Sequence, residues 1–212
     1  MSNDVAYPIF RSSDRTEALR VAREMVAVGL QPGCEVSVEA EAHSLDELKR
    51  LRGELPDAWV ICWDDRGAPA EPPPGLPDLT HPLHAHELPD DLTGAEPYLP
   101  LAFAINEQPL GSVEDRFVHA AGVAPAELRW EHLVWPEAPE DGVYGEEATH
   151  AEVTLVLNND SRGLDVPADT HLVLVHVRRT ETLDGRMPYA ERHAKWLAER
   201  IGRQVIGPGQ CQ

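Results

Sequence analysis

Lysine is nearly absent: Lys49 and Lys195 are the only two among 212 residues, and Lys plus Arg total 18 against 37 Asp plus Glu. The formal net charge is therefore -19. A field of that sign repels phosphate and argues against non-specific nucleic-acid binding; it suits a basic protein partner or a cation, and keeping the protein soluble is its first expected role. Cysteine is also scarce. Cys34, Cys62 and Cys211 have no paired spacing, which excludes a disulfide framework and suggests reduced thiols in the cytoplasm. No stretch approaches the roughly 20 apolar residues that span a bilayer, so no membrane association is expected. The opening Met-Ser-Asn-Asp-Val has neither a basic nor an apolar region, which points away from export. The chain also lacks GxxxxGK[ST], GxGxxG after a strand, GxSxG, HExxH and CxxC. No cofactor is expected, although triads defined by space rather than by sequence stay open.

Charge and proline divide the chain. Residues 67–98 hold six acids, no Lys or Arg, and eight of the 19 prolines. Proline fixes the backbone and removes an amide donor, so this stretch reads as an extended acidic linker between segments 1–66 and 99–212. The first segment reads β-α-β-α-β. Asp14 with Glu17 and Ser44 with Glu47 are capping boxes, and Leu19, Ala22, Met25 and Val26 form one helical face. Cys34, Val36, Val38, Ala40 and Ala42 alternate with polar residues, predicting a strand with one wet face. Residues 59–63 are a short apolar run, as in a strand covered on both faces.

The second segment reads β-α-β-β-β-α, with a short return to the sheet expected at residues 204–206. Strands are expected at residues 99–106, 128–135, 152–158 and 171–179. Ser112 is the expected cap of a helix burying Val113, Phe117 and Ala121, and Gly122 stops it. A last helix opening at Pro188 is expected to bury Tyr189, Trp196, Leu197 and Ile201. Both segments suggest an α+β class, two small sheet-plus-helix layers with ferredoxin-like topology in each.

Metal-capable side chains are densest at His81, His84, His86 and Glu87. In an extended chain His84 and His86 point the same way, but the proline-rich surroundings offer no evident second shell, so a polar linker without metal is expected. A second constellation depends on strand register. If Leu128, Trp130, His132 and Val134 share a covered face with Leu172, Leu174, His176 and Arg178, then His132, His176 and Arg178 become catalytic candidates among apolar side chains. The opposite register buries Val173, Val175 and Val177 and leaves the polar set in water, and its uniform apolarity makes it the expected one. Trp130, Arg178 and Arg179 are candidate binding residues, since an Arg pair can grip a carboxylate or phosphate, or neutralise the acidic loop at residues 137–147. Trp59, Trp63, Trp130, Trp135 and Trp196 are large anchors that core packing accounts for. The expected function is a non-enzymatic acidic regulatory or protein-interaction protein, acting on a protein partner or as a homo-oligomer. The alternative is a hydrolase, possibly metal-assisted, with a His/Arg site in the second segment.

Overall fold

Asp14 accepts hydrogen bonds from the backbone amides of Thr16 and Glu17 at 2.9 and 3.2 Å, which starts the first helix; the backbone turns extended at Gly29. This and the other contacts come from a computed structural model that describes residues 4–62, 72–137, 151–162, 164, 166–178 and 188–211. In chain order its elements are β1 (Asp4–Ser12), α1 (Arg15–Val28), β2 (Glu35–Ala42), α2 (Leu45–Glu54), β3 (Trp59–Ile61), β4 (Leu83–His84), β5 (Leu101–Pro109), α3 (Glu114–Ala121), β6 (Ala126–Leu133), β7 (Ala151–Leu157), β8 (His171–Arg178), α4 (Pro188–Arg200) and β9 (Gln210–Cys211). The class is α+β. No helix among the described residues is long and apolar enough to cross a membrane.

The chain forms two units, residues 1–35 with 128–212, and residues 36–127. In the first, the strands run in the order β6-β7-β8-β1-β9. β8 lies between β7 and β1, antiparallel to both, and the β1 register runs from Asp4↔Arg178 to Ser12↔His171. α1 packs on β1, β7 and β8 through Ala18, Leu19, Val21, Ala22, Met25 and Val26, which include the expected face. α4 differs from expectation. It buries Ala190, His193, Ala194, Leu197 and Ala198, while Trp196 is half-buried under the Arg200 guanidinium at 4.2 Å. Small alanines let the helix backbone approach the sheet, where a Trp in the contact row would hold it off.

In the second unit the strand order is β4-β3-β5-β2. These orders do not establish a ferredoxin-like topology in either unit. Ser44 and Glu47 cap α2 as expected: Ser44 Oγ takes the Glu47 amide at 3.3 Å, and the Glu47 carboxylate takes the His43 amide at 2.9 Å. α3 is capped otherwise than expected. Ser112 Oγ donates to the Pro109 carbonyl, and the buried Glu114 carboxylate takes the Gly111 and Val113 amides at 2.7 and 3.2 Å. A carboxylate at the positive end of a helix is the stronger acceptor.

Residues 72–98 make up the described part of the stretch expected to be a linker. Leu76, Leu79, Ala85, Leu88, Leu92, Ala95 and Tyr98 are buried there, and the Cys62 amide donates to the Leu79 carbonyl at 2.7 Å. The prolines exclude an α-helix and a central strand, so the path runs through the short strand β4 and two 3-10 turns, Ala85–Glu87 and Thr93–Tyr98, and apolar side chains spaced between the prolines pin it to the unit's core. Trp63 lies outside the described residues.

Candidate functional site

β8 is buried along both faces from His171 to Val177. Neither of the registers weighed from the sequence leaves a wet side, because Leu172, Leu174 and His176 are covered as thoroughly as the valines. The cover on the leucine side comes from the β7–β8 connection, residues 158–170. Asn159 Oδ1 accepts from the Ser161 and Val166 amides at 3.0 and 3.3 Å, and Asp160 accepts from Thr170 Oγ1 at 3.0 Å. Leu164, at φ 61°, then packs with Ala6, Val156, Leu172 and Leu174. That fold-back carries Arg162 over the strands.

Beneath Arg162 lies a polar network. Glu152 is opposite His176 in the β7–β8 register, and Thr154 follows Glu152 on the same face. Thr154 Oγ1 donates to Glu152 Oε1 at 2.9 Å and lies 2.8 Å from His176 Nε2. A hydroxyl has one proton, so with that proton on Glu152 the Nε2–H of His176 donates to Thr154. Nδ1 is then a lone pair, and it faces Arg162 NH1 at 3.5 Å. Arg162 NH2 also sits 3.6 Å from Glu152 Oε1. Burial, followed by the positive charges of Arg162 and Arg129, holds His176 well below its ordinary value. Burial pushes the Glu152 carboxyl up, against the opposing pull of Arg162, Thr154 and Arg129. His176 is thus a neutral imidazole with both nitrogens engaged.

This arrangement is not a nucleophile with its base. An activated hydroxyl needs a nitrogen lone pair in front of it, whereas Thr154 faces an N–H and is fully buried. Glu152 is the member that reaches outward. It lines a cavity of about 420 Å³ together with Asp4, Glu131, His132, Leu133, Val134 and Ala151. Its carboxyl could therefore exchange a proton with, or bind, a group held in that cavity.

The sequence candidates differ in burial. The His132 side chain is 68% exposed, with Nε2 3.9 Å from Glu35 Oε2, and lines the same cavity as Glu152, whereas that of His176 is 2% exposed, with Nε2 3.4 Å from Glu152 Oε1. Arg178 ends β8, its Cα opposite Asp4, and Arg179 lies outside the described residues. Trp130 is fully buried, so it offers no surface to a partner. Of the acidic loop, residues 138–147 lie outside the described set. His81 pairs with Asp78 at 3.1 Å, and Glu87 accepts the His84 amide at 2.7 Å. Only His84 and His86 are brought together, their rings 5.4 Å apart and nearly parallel. Among the described residues no group of three or more His, Cys, Asp or Glu is placed to hold a metal ion.

Sequence reasoning missed Glu152, Thr154 and Arg162. The available signal was the polar i, i+2 pair in Glu-Val-Thr at the start of an otherwise apolar strand. No protein-family model, no curated protein and no solved structure matches the chain.

Proposed function

We propose that the chain is a non-enzymatic interaction protein of the cytoplasm that meets a basic protein partner through its acidic surface. The observation that carries this is the charge, 37 acids against 18 bases, with lysine reduced to two. Neither Cys34 nor Cys62 is in a disulfide, in keeping with a reducing compartment. Supporting the non-enzymatic part, His132 and His176 are far apart in exposure, and the Thr154 hydroxyl is sealed with its neighbours' protons accounted for. The same field disfavours a nucleic-acid partner.

Affinity for such a partner should fall steeply from low to high salt, because screening removes long-range attraction between opposite charges. Pull-down and titration of the retained partner over a salt series check this. A specific partner held equally well at high salt would refute it and indicate an apolar interface.

One observation favours a second reading, a hydrolase. The Glu152 carboxyl, raised by burial, borders a cavity of about 420 Å³, a size that suits a small ligand. In that reading Glu152 is the acid or base and Arg162 balances its charge.

A further inference from the structure

Among the described residues of the second unit, Trp59 is the large aromatic left in solvent, 43% exposed on β3. The His84 ring stacks on it at 3.9 Å and 28°, and the His86 ring continues the stack at 5.4 Å and 9°. The backbone holds this three-ring ladder in place. His84 Nδ1 lies 3.0 Å from the Asp57 carbonyl, and His86 Nδ1 lies 3.1 Å from the Pro56 carbonyl. A carbonyl only accepts, so each Nδ1 carries a proton that fixes the ring's orientation. The Ala85 and His86 amides tie the same segment to the Ala58 and Pro56 carbonyls at 2.8 Å each.

The surroundings are acidic. The Asp57 carboxylate, 79% exposed, stands 3.6 Å from His86 Nδ1, and Glu87 follows directly in the chain. Residues 67–98, which supply both histidines, contain no Lys or Arg at all. An exposed, preorganised π surface beside a carboxylate matches a planar cation. Guanidinium stacks on aromatic faces and forks onto carboxylates, whereas an ammonium is a strongly hydrated point charge that does neither as well. A nucleobase would also stack, but its phosphates would meet the acidic field.

We propose that the Trp59–His84–His86 ladder, with Asp57, docks an arginine side chain of a basic protein segment. This rests on the acidic-surface reading above and names the residues where that surface becomes selective. The test uses the full chain and two labelled peptides of equal charge, one arginine-rich and one lysine-rich, followed by fluorescence anisotropy at low salt. The parent should bind the arginine peptide more tightly. Trp59→Ala and His86→Ala should each weaken it by about three- to tenfold, the range of an exposed to partly desolvated cation–π contact, and leave the lysine peptide unchanged. Both side chains are solvent-exposed, and circular dichroism melts verify that the variants fold.

If both peptides bind alike and neither substitution alters them, the ladder is not the dock, although the acidic-surface reading survives. If neither peptide binds, that reading fails as well. A single-stranded oligonucleotide whose binding Trp59→Ala abolishes, or a dimer that Trp59→Ala dissolves in sedimentation, would assign the ladder to a different occupant and overturn the proposal.

Discussion

Replacing Thr154 by Val probes the proton assignment of the buried network directly. The two side chains have nearly the same shape and are both β-branched, so strand propensity and cavity terms nearly cancel. What disappears is one hydroxyl that takes the His176 Nε2–H at 2.8 Å and gives its proton to Glu152 at 2.9 Å. The bond to the carboxylate is charge-assisted and contributes about 1.5–3 kcal/mol. The stranded Nε2–H, on a side chain that is 2% exposed, has Glu152 Oε1 at 3.4 Å as its remaining acceptor. That distance offsets only part of a desolvation penalty of about 1–3 kcal/mol. The expected loss is therefore about 2–4 kcal/mol. In urea unfolding at neutral pH it appears as a lower midpoint at unchanged m, a shift of about 1–2 M for m near 2 kcal/mol/M. Thr154→Ser keeps the hydroxyl and should lose only about 1 kcal/mol for the buried methyl. A Val variant as stable as the parent, or less damaged than Ser, would refute the network as described.

Two further outcomes follow from single side chains. Because His176 is depressed below its ordinary 6.5, the unfolded chain binds a proton below that pH that the folded chain does not, so stability should fall as pH drops below 6.5. This group contributes a slope of up to about 1.4 kcal/mol per pH unit, and equal slopes for the parent and His176→Gln in denaturant titrations at stepped pH would exclude it. Gly122, at φ 59°, would set an added Cβ 2.2 Å from Arg50 NH2, displacing the guanidinium whose Nε donates to the Ala120 carbonyl at 2.6 Å. Gly122→Ala should destabilise by about 2–4 kcal/mol, and by less in an Arg50→Ala background; equal cost in both backgrounds would rule out the clash.

What was legible in the sequence was local. The Asp14 and Ser44 caps, the buried row of α1 and the Gly122 stop each depend on residues within a turn or two of one another, and all are present. Partners distant in sequence were not legible. β1 was read with its sequence neighbours, yet its antiparallel partner is β8, more than 150 positions away, which joins the two ends of the chain in one unit. Composition misled at residues 72–98 for a related reason. Proline content reports that a segment cannot be α-helical, but whether it is anchored depends on what Leu79, Leu88 and Leu92 meet, and no local pattern encodes that.

The same reasoning explains why the choice between two registers for β8 was incomplete. Both options assumed one covered face, the usual condition of an antiparallel strand. The 158–170 connection supplies a second cover, with Leu164 over Leu172 and Leu174 and Arg162 over His176. Once both faces are covered, the polar face can no longer use water. Its histidine must then be neutral, its carboxyl must find an arginine, and a threonine hydroxyl must bridge them, accepting from the histidine and donating to the carboxyl. Glu152, Thr154, Arg162 and His176 follow from that requirement. Their chemistry is what burying His176 demands, whether or not a ligand ever enters the cavity beside Glu152.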